Sequence, residues 1–462
     1  MGADLRSFLN RLKESGDLLE IESEVRSRFE ITAVLKEALG QQGAPAVLFN
    51  NVSGYPGKKV VGNLLASRQK LALALGCAEE ELRDTYLQKR TAELEPEMVN
   101  GAVPCQEEII TGEPDLPFLL PAPVFHEGDG GPYLTAGVLM ARDPDTGELN
   151  TGIHRLQLKG KNRLGVFLSN PPLINYLLKA EQEGKPMQAV VALGLHPAEL
   201  LAAAVSIKKD IKSKLNMAGA LVGRPVPLVP AKTVDLPVPA LAEIILEGKL
   251  LPGLREKEGP FGESSGYYFT AQSPVMEISA VTMRRRPVLS VIPPWGVETD
   301  IILSAFSGAE LWQELNRLVP GVLDVAFLPG ALTFQGVIRV ASSLSRQEVR
   351  RLISLALNLD RRLKHVIVVD EDVNIHDSRE VLWALATRFQ GGNDLICLRG
   401  LEGYVIDPSV EKGETDKVGF DATARPGGPA AERYRRLSIP QEAITRAKEL
   451  LLKVNTSQSS LL

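Results

Sequence analysis

The 462-residue chain is 44% hydrophobic and 24% charged, with a formal net charge of −5, which is ordinary for a soluble globular protein and leaves no basic excess for binding nucleic acid. Its three cysteines, Cys77, Cys105 and Cys397, form no CxxC pair, so neither a disulfide framework nor a thiolate zinc site is indicated and the compartment is expected to be reducing. No stretch approaches the roughly 18 apolar residues of a membrane span and the first residues are amphipathic, so a cytoplasmic protein of about three domains is expected.

Asp4 is placed to cap a helix whose Leu5, Phe8, Leu9 and Leu12 recur at the 3.6 period, with Gly16 as its stop. A strand at Leu19 to Glu24, a helix from about Glu30 to Leu39 and an apolar strand at Ala46 to Phe49 follow, so the opening third reads α/β. Asp115-Leu-Pro-Phe-Leu-Leu-Pro-Ala-Pro is expected to be an extended connector beyond a boundary near residue 105. Short strands are then expected at Leu134 to Ala141, Leu164 to Leu168, Ala189 to Leu195 and Val275 to Met283, with a helical segment around Pro197 to Ser206. Past Ile301 the pattern alternates: helix at Ala309 to Leu318, strand at Val322 to Leu328, helix at Arg346 to Leu357, strand at Val366 to Val369 and helix at Arg379 to Thr387. A last helix, about Pro440 to Val454, precedes the polar tail Asn455 to Ser460 and either projects to a neighbouring subunit or frays. The expected architecture is an α+β and α/β multidomain chain divided at 1–105, 106–300 and 301–462.

Four segments carry chemistry. Lys257 to Tyr268 holds Glu258 and Glu263 among Gly259, Pro260 and Gly262, a run expected to be a rigid turn. Two acids meeting at a cleft push each other's pKa apart, so one can donate a proton while the other stays ionised. Asn150 to Gln157 is expected to pass from loop to strand, with Arg155 suited to a carboxylate or phosphate, Gly152 allowing close approach and Asn150 offering an amide oxygen to a hard cation. The acids of Val368-Val-Asp-Glu-Asp-Val-Asn-Ile-His-Asp suit either a divalent metal or the cap of the helix near Ser378. Lys417, beside a glycine, could neutralise a phosphate. His126 in its Gly-rich loop reads as a ligand or a turn residue, and His196 before Pro197 as structural.

Together these segments resemble the UbiD family of reversible decarboxylases over about residues 4 to 426. The resemblance rests on Asp4-Leu-Arg-Ser-Phe-Leu, Asn63-Leu-Leu-Ala-Ser-Arg, Asp115-Leu-Pro, Asp129-Gly-Gly-Pro-Tyr, Asn150-x-Gly-x-His-Arg, Glu258-Gly-Pro-Phe-Gly-Glu, Val369-Asp-Glu-Asp and Lys417-Val-Gly-Phe-Asp-Ala-Thr. It implies an N-terminal α/β domain, a central split β-barrel that binds flavin and a C-terminal α/β domain for dimerisation, with hexamers also occurring. It further implies prenylated FMN supplied by a flavin prenyltransferase, manganese and potassium at its phosphate, and a carboxylic acid substrate exchanging carbon dioxide. Arg155, Glu258 and Glu263 would be catalytic, and Asn150, Thr151, Gly152, Ile153, His154, Arg155, Gln157, Ser169, Asn170, Arg224 and Lys417 would hold the cofactor.

The implied metal ligands are an Asn, a His and a Glu, and only Asn150 matches. Ser169-Asn170 stands where an Arg-His pair is implied, and Pro227 where the Glu is implied. The departure leaves open a shifted alignment, Arg224 replacing the metal's charge, or a weakly held cofactor. Two further classes remain beside the enzyme: a non-catalytic subunit of a larger carboxylase complex, and a plain FMN redox protein. Phe261, Tyr267, Tyr268 or Trp295 would wall a bound ring.

Overall fold

Asp4 accepts the Ser7 N–H at 2.9 Å and starts the helix Leu5–Glu14, whose Leu5, Phe8, Leu9 and Leu12 form its buried stripe. The computed structural model describes every residue except 1–3, 93, 206–212, 425–433, 435, 449 and 451–462. The N-terminal sheet joins Leu18–Ile21, Ala46–Phe49, Lys59–Gly62 and, from far along the chain, Val288–Ser290, which runs parallel to Lys59–Gly62. The chain thus returns to its first sheet before entering its last third. Asp115 caps a short helix, Leu116–Leu119, instead of leading an extended connector; Pro117 sits in its first turn, where no N–H is needed.

The central sheet has seven strands in the order Ile244–Gly262, Met187–Leu193, Tyr133–Arg142, Leu149–Leu158, Arg163–Val166, Tyr268–Met283 and Glu108–Thr111. Ile244–Gly262 also pairs with Tyr268–Met283, so the sheet closes on itself. These two strands, of 19 and 16 residues, are far longer than the short strands expected. Their register shifts between Leu250 and Arg255 and between Glu258 and Phe261, which is where Pro252 and Pro260 fall, so the ladder does not require the missing N–H groups. For the same reason the Lys257 to Tyr268 run is strand as far as Gly262 and turn only from Glu263 to Tyr267.

The last third contains a five-stranded sheet in the order Val322–Phe327, Gln335–Val340, His365–Asp370, Glu414–Asp421 and Leu395–Glu402. Helices Ser307–Leu318, Arg346–Leu359 and Ser378–Arg388 accompany it, close to their expected bounds. Ser345 and Glu348 form a capping box that fixes the start of the second. The final helix is present over residues 441–448 and at 450; residues 449 and 451–454, Ser206 and the tail from Asn455 lie outside the described residues. Among the described residues no helix is long and apolar enough to cross a membrane.

Glu298, on the helix Val297–Ser304 that leads into the last third, accepts the N–H groups of Asn63 and Leu65, both at 2.9 Å, and so ties that helix to the N-terminal sheet. Burial pushes its carboxyl up to about 7, against the lowering effect of those N–H groups. The folded state therefore holds this proton more tightly than the unfolded chain, whose carboxyl titrates near 4.5. Its stabilising contribution is complete below about 4.5 and is lost as pH rises through about 7. Glu298→Ala should lower stability by about 2–4 kcal/mol at pH 5 by stranding two buried donors, and urea denaturation should show the gap to wild type narrowing as pH approaches 7.

Candidate active site

A guanidinium in an apolar sheet interior must find its counter-charge nearby, and Arg155 finds two. It lies on Leu149–Leu158 with 8% of its surface exposed. Nε and Nη2 donate to the two oxygens of Glu258 at 3.1 and 2.9 Å, and Nη1 donates to Glu263. Its Cζ lies 4.0 Å from the centroid of the Phe167 ring, with the Phe261 and Phe269 centroids at 4.9 and 5.2 Å. Glu258 is fully buried, whereas the side chain of Glu263 is 14% exposed. The other oxygen of Glu263 accepts the Ser264 N–H at 2.7 Å and its hydroxyl at 2.9 Å. The expected direct contest between two acids is therefore replaced by a shared cation standing between them.

The hairpin carrying both acids is buttressed by the Asp129-Gly-Gly-Pro-Tyr motif. Asp129 accepts the Gly262 N–H at 2.8 Å with one oxygen, and the Phe125 and His126 N–H groups with the other. Gly130 donates to the Pro260 carbonyl at 2.7 Å, and a Cβ on Gly130 would lie 2.3 Å from the Gly259 oxygen, so only glycine fits there. Gln157, expected at the cofactor, instead accepts the Gly259 N–H at 3.1 Å.

Between the central sheet and the last third lies a cavity of about 640 Å³, a size suited to a cofactor with a small substrate. Thr151, Gly152, Ile153 and His154 form one wall, and Arg361, Arg362 and Tyr404 another. Burial pushes the Tyr404 phenol up, and the charge of Glu263 adds to this against Arg362 and Arg361, so the Glu263 carboxylate is within electrostatic range of the cavity wall. His154 shares its Nδ1 with the Phe167 carbonyl at 3.0 Å, and burial pushes its imidazole down to about 4, leaving it neutral at neutral pH.

Asn170 also reaches the cavity, while Ser169 and Arg224 are exposed and absent from its lining. Lys417, expected on a phosphate, is buried and donates to the carbonyls of Leu357 and Arg361 at 3.0 and 3.1 Å, pinning the turn that carries the cavity arginines. Asn150 is 3% exposed and its side-chain oxygen is taken by the Thr151 N–H at 2.8 Å. Among the described residues no group of three or more His, Cys, Asp or Glu is arranged to hold a metal, and Pro227 offers no side-chain oxygen. The residues present do not fit the manganese that the sequence resemblance implied.

The acidic run after residue 368 is structural: Asp370 and Asp372 pair with Arg388 at 2.9 and 2.6 Å, and Asp377 caps Ser378–Arg388. His196 likewise caps Pro197–Ala204. His126 lines a separate apolar pocket with Phe29, Tyr268 and Trp295. Phe261 is packed against Tyr133 at 4.4 Å, and Tyr267, Tyr268 and Trp295 are exposed. Sequence reasoning missed Phe167 and Phe269, the Arg361, Arg362 and Tyr404 wall, and Lys214, which also lines the cavity. Nothing local marks these residues, because the cavity is assembled by pairing distant strands.

Residues 9–89, 97–296 and 300–422 match the N-terminal, Rift-related and C-terminal domains of 3-octaprenyl-4-hydroxybenzoate carboxy-lyase, UbiD. Anhydromevalonate phosphate decarboxylase of Methanothermobacter thermautotrophicus is 34% identical, covering 94% of this chain and 99% of its own. Phenolic acid decarboxylase of Bacillus subtilis is 33% identical over 96% and 97%. The UbiD-class enzyme HmfF from Pelotomaculum thermopropionicum, solved in complex with FMN, superposes with a TM-score of 0.90 at 40% identity over 95% of this chain and 97% of that one; an evolved dimeric form of it was solved with prFMN. With all three domains matched and these relatives spanned almost end to end, the chain belongs to the UbiD family of carboxy-lyases.

Proposed function

We propose that this protein is a prenylated-FMN-dependent carboxy-lyase that removes carbon dioxide from, or adds it to, an aromatic, heteroaromatic or α,β-unsaturated acid. The observation that carries the proposal is Arg155 forked onto Glu258 while also holding Glu263. FMN in the HmfF complex and the phenolic acid substrate named for the Bacillus relative support the cofactor and the substrate class. The closed central sheet is read as a split barrel, with Thr151 to His154 and Asn170 as the residues that would hold the flavin.

Breaking the bond to the carboxylate leaves an electron pair on an sp2 carbon that water cannot stabilise; the flavin, when bound, supplies the electron sink. The chain's own residues do the rest. Arg155, fixed by Glu258 and three rings, presents a cation of one orientation to the substrate carboxylate. Glu263, the less buried acid, gives its proton to the carbon that carbon dioxide leaves and regains one from water. Carboxylation is the same path reversed, so the levels of carbon dioxide and acid set the direction. The last third is read as a dimerisation surface in a homodimer or hexamer.

Glu263→Gln should cut turnover and substrate H/D exchange by at least about 100-fold while flavin stays bound; wild-type exchange by NMR in that variant would remove Glu263 from the mechanism. Arg155→Met strands Glu258 without a counter-charge and should cost about 3–5 kcal/mol in chemical denaturation. Adding Glu258→Gln should recover much of that loss without restoring activity.

A further inference from the structure

Lys214 opens the helix Lys214–Val222, and only 8% of its surface is exposed. Its ammonium donates to the Ala203 carbonyl at 3.0 Å, and among the described residues no carboxylate forms an ion pair with it. Burial pushes it down to about 8, which still leaves it mostly cationic at neutral pH. A buried cation without a counter-ion is strongly unfavourable unless an anion completes the site. Lys214 lines the cavity together with Thr151, Gly152, His154 and Asn170. It stands on the first turn of a nine-residue helix, whose N-terminal dipole has the same sign.

The acids that line the cavity are engaged elsewhere: Glu310 by Tyr86 and Arg90, Glu314 by Arg317 and Asp360 by Arg362. Glu199 shares a small pocket behind Lys214, but burial pushes its carboxyl up to about 8, so it is mostly neutral at pH 7. Burial first, and the Lys214 charge in addition, keep His154 neutral. The positions implied for a metal lack its ligand set, since Asn170 stands in place of the His and Pro227, which has no side-chain oxygen, in place of the Glu.

We propose that Lys214 supplies the positive charge that binds the flavin phosphate in this cavity, so that this chain holds its cofactor without a divalent metal. The inference rests on reading the cavity as a flavin site. An ammonium is a compact point charge suited to one phosphate, and it needs no oxygen ligands of its own.

The test titrates EDTA-treated full-length protein with FMN and with riboflavin, which lacks the phosphate, following flavin fluorescence at pH 7 for wild type, Lys214→Met and Lys214→Arg. Wild type should bind FMN without added Mn2+ and riboflavin more weakly. Lys214→Met should lose about tenfold to a hundredfold in FMN affinity with riboflavin affinity unchanged, and Lys214→Arg should recover most of the loss. FMN binding that requires Mn2+, equal FMN affinity in Lys214→Met, or equal loss of both flavins would overturn the role of Lys214 and leave the carboxy-lyase reading standing. Failure of wild type to bind either flavin, with or without Mn2+, would overturn that reading and this inference together.

Discussion

Burying a guanidinium obliges the fold to bring carboxylates to it, and the central sheet is arranged around meeting that demand for Arg155. Both acids arrive on one hairpin, Glu258 from its outgoing strand and Glu263 from its turn. The hairpin reaches Arg155 because Ile244–Gly262 and Tyr268–Met283 pair with each other while also pairing with opposite ends of the sheet. Asp129 and Gly130 then hold the tip, the aspartate by taking its N–H groups and the glycine by leaving room for the Gly259 carbonyl. A side chain at residue 130 or an unpaired Glu258 would each disturb the same few ångströms.

Much of this was legible in the chain and some was not, for identifiable reasons. The first helix and the elements of the last third follow a clean 3.6 or alternating pattern, and their ends carry ordinary caps such as Asp4 and Ser345. The Arg155, Glu258 and Glu263 constellation was visible because a family motif ties those positions together. The 19-residue strand was not, because Pro252, Gly253, Gly259 and Pro260 are local breakers, and only a partner strand that accommodates register shifts makes them acceptable. Lys417 illustrates the opposite error: its motif suggested a phosphate contact, while the fold spends its ammonium on two carbonyls at the end of Arg346–Leu359. Lys214 left no signal, since a lysine after a capping serine ordinarily faces solvent.

The cavity's charge distribution sets this chain apart from the metal-bridged pattern its resemblance implied. Of the ligands implied for manganese only Asn150 matches, and its oxygen already accepts the Thr151 N–H, while cations reach the same space from both sides, Lys214 from the central domain and Arg361 and Arg362 from the last third. Arg362 is committed to Asp360 at 2.7 Å, so its charge is largely spent. Lys214 is the cavity cation that burial disfavours most plainly and that no acid among the described residues neutralises by direct pairing, which is the condition expected of a residue kept to meet an anion.

The central claim is that this cavity holds a prenylated flavin beside Arg155 and Glu263. The most direct measurement is the visible absorbance and mass spectrum of the ligand released from protein co-expressed with a flavin prenyltransferase. The account predicts prenylated FMN at close to one per chain. Protein of intact fold that releases no flavin would contradict it and favour a non-catalytic subunit, and release of unmodified FMN alone would favour a redox protein.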